Sequence, residues 1–400
     1  MADSSSLTIK LPAADGRIET YALRGTAPFA ATTQRKPFTR IAYSAAHVVA
    51  DPLASVDPWL TAALDWDATI AYRQRLWSLG LGVAEAMDTA QRGMGLDWPT
   101  SLELIRRSLD AAKDYPGALV ASGCGTDHLA ADAATSVDDV IRAYEMQMEA
   151  IEAHGGKLIV MASRALSRVA ASPADYERVY DRVLMQSRQP VILHWLGDMF
   201  DPALAGYWGS SDVDAAMETA LGVIAANPGK VDGIKISLLD KDKEIAMRRR
   251  LPEGVRMYTG DDFNYAELIA GDGTGAATNQ QHSDALLGIF DAIAPAASAA
   301  LGALADDDLA RFHAILAPTV PLSRHIFRAP TRFYKTGIVF LAWINGHQKH
   351  FTMVGGQQSA RAIGHFAEAF RLADAAGLLE QPDLAVARMR QLLALHGVGS

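Results

Sequence analysis

Short apolar runs alternate with amphipathic stretches through the middle of the chain. The runs cover residues 39–45, 82–87, 117–122, 157–162, 190–195, 231–237, 255–259 and 275–278. Helical spacing of apolar residues follows between them, over 62–79, 100–115, 137–153, 174–186 and 212–227. Strands that alternate with helices predict a parallel sheet with right-handed crossovers, and eight strands close a (β/α)8 TIM barrel. The alternative is an open doubly wound sheet, but no G-x-G-x-x-G turn follows an early strand.

The two ends of the chain have different patterns. Residues 7–11 and 17–23 alternate apolar and polar positions around a turn-rich stretch, which predicts a β-hairpin. Towards the C-terminus the pattern is mostly helical, over 283–304, 306–317, 359–376 and 383–395. We therefore expect a hairpin extension and linker over 1–37, a barrel over 38–283 and a helical C-terminal region over 284–400.

Composition narrows the class of protein. Apolar residues make up 50% of the 400 residues and charged residues 21%, which is typical of a globular protein. The net charge of −9 disfavours binding to nucleic acid or anionic membranes. A single cysteine, Cys124, allows no intrachain disulfide, and neither a secretory signal nor an apolar run of about 20 residues is visible. We expect a cytoplasmic protein with neither a membrane nor a nucleic acid partner.

The most informative single residue is a lysine inside a strand-like run. The segment VDGIKIS covers residues 231–237, and alternation places Lys235 on the face opposite the two isoleucines, pointing into the barrel. Burial lowers the pKa of a lysine, and a neutral amine is the nucleophile that forms a Schiff base. The alternative is an interior ion pair with a carboxylate such as Glu85, Asp88 or Asp261.

The same segment resembles the sixth-strand G-I-K motif of the dihydrodipicolinate synthase and N-acetylneuraminate lyase family. Other stretches follow in the family's order: ALVASGCGT at 118–126, PVILHW at 190–195, YTGDD at 258–262, GAATN at 275–279 and residues 331–335. Together they cover about 38–360 of the chain. The resemblance implies a (β/α)8 barrel whose Lys235 condenses with a keto compound.

Departures from the family pattern fall in the substrate-recognition and proton-relay positions. Where the family has G-T-T-G-E after the second strand, this chain has MDTAQ, so that Thr89 keeps a hydroxyl and Asp88 would repel a carboxylate. The family's fourth-strand tyrosine is missing, and Ser163 or Arg164 would stand nearest to its place. His194 replaces the fifth-strand tyrosine. These changes point away from a standard pyruvate-dependent enzyme and towards a polyhydroxylated, sugar-derived keto substrate. Asp88 would then bind hydroxyls and Arg164 an anionic group.

Other polar residues at predicted strand ends complete the candidate site. His194 has a side chain suited to general acid–base catalysis near neutral pH, and His47 follows the first strand. Asp261 and His47 are substrate-binding candidates. One of Asp261 and Asp262 would orient Lys235 or a substrate hydroxyl while the other caps the next helix. Asn279 follows the predicted eighth strand and is a substrate-binding candidate.

The prediction is a lyase, an aldolase or a dehydratase, that forms an imine through Lys235 and uses no cofactor or metal. Two alternatives remain open: a metal-dependent aldolase or isomerase on the same barrel, and a barrel that binds a ligand without catalysis. By analogy with related barrels we expect a homo-oligomer, a dimer or a tetramer.

Overall fold

Eight parallel strands close a barrel in the computed structural model, which describes residues 7–24, 29, 36–88, 92–272 and 280–398. The strands follow one another around the barrel in chain order, and the last pairs with the first. This confirms the predicted (β/α)8 barrel. The barrel strands are β3 (Ala42–Ala45), β4 (Gly82–Glu85), β5 (Val120–Cys124), β6 (Lys157–Val160), β7 (Val191–Leu196), β8 (Val231–Ser237), β9 (Arg256–Thr259) and β10 (Asp284–Leu287).

Helices connect the strands and cover the outside of the barrel. Most begin at a short polar side chain, such as Asp65 or Ser136, which accepts a hydrogen bond from a backbone N–H of the first turn. The helices are α1 (Trp66–Ser78), α2 (Trp98–Ala112), α3 (Val137–Glu152), α4 (Arg164–Val169), α5 (Pro173–Gln186), α6 (Val213–Ala226), α7 (Lys241–Arg248) and α8 (Tyr265–Ala270).

The eighth strand is the main correction to the sequence prediction. The predicted run at 275–278 lies outside the described residues, and the strand that closes the barrel is β10. The barrel therefore extends past the predicted boundary at residue 283. The pattern over 283–304 predicts one helix, because alanine and leucine favour helix. In the structure the first part of this stretch is the strand β10, because it pairs with β3 on one side and with β9 on the other.

The C-terminal region is helical, as predicted, and it carries the N-terminal hairpin. The hairpin strands β1 (Thr8–Pro12) and β2 (Ile18–Ala22) pair antiparallel. Tyr21 donates a hydrogen bond to Asp374 over 2.6 Å, and Arg371 donates one to the Pro12 carbonyl over 3.1 Å. The helices are α9 (Ile289–Ala292), α10 (Ala294–Ala305), α11 (Leu309–Leu316), α12 (Val320–Ile326), α13 (Tyr334–Ile344), α14 (Ile363–Ala375) and α15 (Pro382–Leu395).

The barrel interior is apolar in its lower layers and polar near the strand C-termini. Inward-facing Tyr43, Ile159, Ile192, Tyr258 and Leu286 fill the lower layers and are buried. Lys235 and His194 lie nearer to the C-terminal mouth, where such barrels place their active sites. In the described part of the chain, no helix is both long and apolar enough to cross a bilayer.

Candidate active site

Lys235 lies in β8 and faces the barrel interior. Its neighbour on the same face is Gly233, where a Cβ atom would come within 2.7 Å of the Tyr258 ring, an interior side chain. The strand register pairs Lys235 with His194 of β7 on one side and with Tyr258 of β9 on the other. The predicted inward orientation of the lysine therefore follows from the strand geometry.

The Lys235 amine is buried without being sealed in an ion pair. The residue is 7% exposed, and burial lowers its pKa below the ordinary 10.5 because the ammonium form loses its hydration. The charges of Asp88 and Asp262 act in the opposite direction, and the positive charge of Lys335 lowers the pKa further. Among the described residues, none of the carboxylates forms an ion pair with Lys235.

Two of the three carboxylates considered as ion-pair partners are engaged elsewhere. Glu85 forms a fully buried pair with Arg73, with 2.8 Å between Oε1 and Nη2, and also accepts a hydrogen bond from Ser108. Asp261 accepts hydrogen bonds from the backbone N–H groups of Phe263 and Asn264. The third, Asp88, raises the pKa of Lys235 through its negative charge.

His194 is fully buried beside Lys235. Its Nε2 atom lies 3.3 Å from the Ser237 hydroxyl, and its Nδ1 atom lies 3.5 Å from an oxygen of Asp88. Burial lowers the pKa of the imidazole well below 6.5, and the positive charge of Lys235 adds to this effect. The ring is therefore neutral near pH 7, with one nitrogen protonated and the other able to accept a hydrogen bond.

The two aspartates that follow β9 form different hydrogen bonds. Asp261 caps the turn that leads into α8, as its bonds to Phe263 and Asn264 indicate. Asp262 accepts a hydrogen bond from the Ile289 N–H over 2.8 Å and interacts electrostatically with both Lys235 and Lys335. Burial raises the pKa of Asp262 to about 7. Of the two aspartates, Asp262 is thus the one whose charge acts on Lys235.

His47 belongs to a second buried polar group at the mouth. Its Nδ1 atom lies 2.9 Å from Asp291 Oδ1, and its backbone N–H donates to Asp291 Oδ2 over 2.7 Å. Lys335, at the start of α13, lies 3.2 Å from Asp291 and donates to the Ala45 carbonyl at the end of β3. His47 is fully buried, so these contacts give it a structural partner rather than an open position on the cavity.

A cavity of about 260 Å³ opens at the mouth above strands β4 to β7. Asp88 and Arg164 are among its lining residues, together with Arg92, Asp127 and Asp201. Lys235 and His194 do not line it and lie behind Asp88, which approaches His194. The structure thus brings Lys235, His194 and Asp88 together, and places Arg164 at the far side of the adjoining cavity.

Ser163 serves the backbone and a neighbouring hydroxyl. Its Oγ accepts a hydrogen bond from the Leu166 N–H at the start of α4 and lies 2.6 Å from the hydroxyl of Thr126. Thr126 itself lines the cavity. Ser163 is therefore not a lining residue of the cavity, and it contacts the lining residue Thr126.

Two predicted substrate-binding residues, Thr89 and Asn279, lie outside the described residues.

Within the described ranges, no group of three or more histidine, cysteine, aspartate or glutamate side chains is placed to hold a metal ion.

Sequence reasoning missed the residues whose importance depends on distant contacts. Asp201 and Asp127, which pair with the cavity arginines, come from loops after β7 and β5. Asp291 and Lys335 lie in the C-terminal region. For Lys335 there was one sequence signal, the similarity of residues 331–335 to a stretch near the C-terminus of the family.

Solved structures with the same fold are dihydrodipicolinate synthase family barrels. This chain is 14% identical to dihydrodipicolinate synthase from Cyanidioschyzon merolae with lysine bound, over 86% of this chain and 100% of that one, with a TM-score of 0.62. It is 14% identical to YagE of Escherichia coli K12 in complex with pyruvate, over 90% and 99%, with a TM-score of 0.60. It is 12% identical to the Aquifex aeolicus synthase, over 90% and 98%, with a TM-score of 0.57. At these identities the likeness establishes the fold.

The family of the chain follows from its sequence. A family model described as "Protein of unknown function (DUF993)" matches residues 9–398. The chain belongs to this family. No curated protein matches it significantly. It shares its barrel fold with the dihydrodipicolinate synthase structures, whose motif order it also resembles.

Proposed function

We propose that the protein is a class I lyase that forms an imine between Lys235 and a sugar-derived keto compound, and then cleaves a C–C bond or eliminates water. The observation that carries the proposal is the buried Lys235 amine, paired in strand register with His194 and engaged in no ion pair with a described carboxylate. A lowered pKa leaves a larger neutral fraction of the amine near pH 7, which is the form that attacks a carbonyl carbon.

Each side chain near Lys235 has a role in this proposal. The amine attacks the carbonyl carbon, water leaves, and the protonated imine withdraws electrons from the adjacent bond as it breaks. His194, neutral and beside the lysine, accepts the proton that is released. Asp262, with a pKa of about 7, returns a proton to the product side, and Asp88 binds a substrate hydroxyl.

Some parts of this proposal rest on analogy rather than on contacts. The YagE structure contains pyruvate, which is consistent with a keto substrate for a barrel of this type. A homo-oligomeric assembly and a cytoplasmic location remain predictions.

Turnover with borohydride tests the proposal. The full chain is incubated with sugar-derived keto acids while product formation is followed by NMR, and borohydride is added during turnover. We expect irreversible inactivation only when substrate is present, because borohydride reduces the imine. Lys235→Arg should be inactive, because its side chain stays protonated at working pH.

Lys230→Arg is the matched control for this experiment. Lys230 precedes the same strand at the opposite end of the barrel and donates to the Ser187 carbonyl. It should retain full activity. Turnover by Lys235→Arg at the wild-type rate, or turnover that borohydride never interrupts, would contradict the proposal.

A further inference from the structure

The walls of the cavity carry two arginine–aspartate pairs. Arg92 contacts Asp127 through two bonds, Nε to Oδ2 at 3.0 Å and Nη2 to Oδ1 at 2.6 Å. Arg164 contacts Asp201 through Nε to Oδ2 at 2.5 Å. Each guanidinium charge in the cavity wall is therefore already balanced by a carboxylate from a neighbouring loop.

Arg92 has no edge left for a ligand. Its Nη1 group donates to the Gly123 carbonyl over 2.6 Å, its Nη2 group also donates to Gln147, and the residue is 2% exposed. Arg92 therefore forms part of the cavity wall and is not placed to bind a substrate group.

Arg164 differs because its outer edge is accessible. The side chain is 46% exposed, and only its Nε takes part in the bond to Asp201. A Cβ atom at Gly93 would lie 3.4 Å from Arg164 Nη1, so the absence of a side chain there keeps that edge open. Asp201 is itself held, since its Oδ1 accepts a hydrogen bond from the Ala203 N–H over 3.1 Å.

The cavity wall at Arg164 and Asp201 thus places hydrogen-bond donors and acceptors side by side. A hydroxyl group both donates and accepts a hydrogen bond, so a polyhydroxylated chain can use the Arg164 edge and the neighbouring carboxylates together. A phosphate ester can only accept from Arg164, whose charge is already neutralised, and its two negative charges would approach Asp201 and Asp127. The volume of about 260 Å³ suits a single sugar-sized chain.

We propose that Arg164 and Asp201 form a subsite for the hydroxyl groups at the end of the substrate remote from its carbonyl, and that Asp201 makes this subsite reject a phosphate ester. The inference rests on the proposed imine chemistry and specifies its substrate class: an unphosphorylated, sugar-derived keto compound. Asp201 is the specificity-determining residue. It neutralises the charge of Arg164 but contacts only Nε, so the outer edge of the guanidinium stays available to hydroxyl groups.

Trapping rates for a matched pair of substrates test this subsite. The probes are the keto-deoxy acid derived from gluconate, with and without a phosphate on its terminal hydroxyl. Cyanoborohydride reduces each imine, and intact-protein mass spectrometry measures the rate at which adduct accumulates. We expect the wild-type chain to trap the unphosphorylated acid faster by about tenfold or more, because the dianion meets like charges.

Asp201→Asn is the informative variant. Asparagine can still cap the following turn, but it removes the charge that neutralises Arg164. The ratio of trapping rates should therefore shift about tenfold towards the phosphate ester. Glu218→Gln is the control, since Glu218 forms a comparable pair with Arg250 over 2.6 Å on the exposed surface of α6. This variant should leave the ratio unchanged.

The outcomes separate the subsite from the imine. If adducts form but the wild-type chain traps both probes equally, or if Asp201→Asn leaves the ratio unchanged, the subsite is wrong and the imine proposal stands. If neither probe gives an adduct with the wild-type chain, both proposals are overturned.

Discussion

At the scale of single residues, we expect His194 to act in the proton transfer that follows imine formation and not in imine formation itself. The imidazole lies beside Lys235 in strand register, and its pKa is lowered by burial and by the lysine charge. We expect His194→Asn to reduce kcat by about 10²- to 10⁴-fold, the usual contribution of a general acid–base group. Imine trapping at Lys235 should remain within a few-fold of wild type. Equal loss of both would show that His194 acts in imine formation itself.

Gly260 leaves space for the side chain of Lys235. A Cβ atom at this position would lie 2.7 Å from Lys235 Cε and 2.5 Å from the Ile236 carbonyl oxygen. We expect Gly260→Ala to displace Lys235, to abolish trapping and to lower the free energy of unfolding by about 1–3 kcal/mol, as overpacking does. Urea unfolding and adduct mass measure the two effects.

Gly222→Ala is the control for this substitution. A Cβ atom at Gly222, within α6, meets no atom within 4 Å. Alanine should raise the free energy of unfolding by up to about 1 kcal/mol, because it favours helix over glycine. Normal trapping by Gly260→Ala would show that the close approach to Lys235 has no functional consequence.

The sequence could predict residues whose role follows from their own strand. Lys235 and His194 stand at inward positions of apolar runs, and alternation alone assigns their direction. It could not choose between Asp261 and Asp262, because that choice depends on Ile289 and Lys335 from distant parts of the chain. The sequence could not indicate Asp201 either, because its role depends on its contact with Arg164 from another part of the chain.

At the scale of elements, a buried carboxyl joins α7 to the strand side of the barrel. Glu244 accepts hydrogen bonds from Thr259 and from Ser283, and burial raises its pKa to about 8. The native state keeps this proton up to about pH 8, while the unfolded chain releases it near 4.5. Unfolding therefore becomes more favourable as pH rises through that window.

Glu244→Gln tests this contribution. The variant should remove the part of the fall in unfolding free energy between about pH 4.5 and 8 that Glu244 causes, as urea titrations at both ends of the window would measure. Glu267→Gln, which alters an exposed pair with Lys241, should keep the wild-type slope. An unchanged slope for Glu244→Gln would mean that Glu244 is ionised in the native state.

Element prediction failed where local preference and tertiary pairing disagree. β10 consists of Asp-Ala-Leu-Leu, a composition that favours helix, and it is a strand because β3 and β9 offer unpaired edges on both sides. The other seven barrel strands contain apolar or β-branched runs and were found within a few residues of their observed bounds.

At the scale of the whole molecule, Lys335 links the C-terminal region to the barrel mouth. Its amine contacts Asp291 and the Ala45 carbonyl, and it is buried. We expect Lys335→Met to lower the free energy of unfolding by about 3–5 kcal/mol, because it removes the lysine charge from a buried carboxylate and leaves His47 as the remaining partner of that carboxylate. Urea unfolding followed by circular dichroism measures the change.

Lys241→Met is the control for Lys335, because Lys241 forms an exposed pair with Glu267. Its loss should change the free energy of unfolding by about 1 kcal/mol or less. If the two variants are equally stable, the contact between α13 and the barrel mouth does not hold the regions together.

Interaction between the chain ends was beyond sequence reasoning. The hairpin pattern was evident, but its docking on α14 depends on Tyr21, Arg371 and Asp374, whose pairing spans about the whole chain. The barrel itself was predictable because each βα unit repeats the same local pattern.

Peptide mapping of the reduced adduct tests the central claim most directly, because two buried lysines lie at the mouth. After borohydride reduction with a sugar-derived keto acid, proteolysis and mass spectrometry identify the modified side chain. The account predicts that the adduct is on Lys235, whose amine forms no ion pair with a described carboxylate. An adduct on Lys335, or none on either lysine, would contradict it.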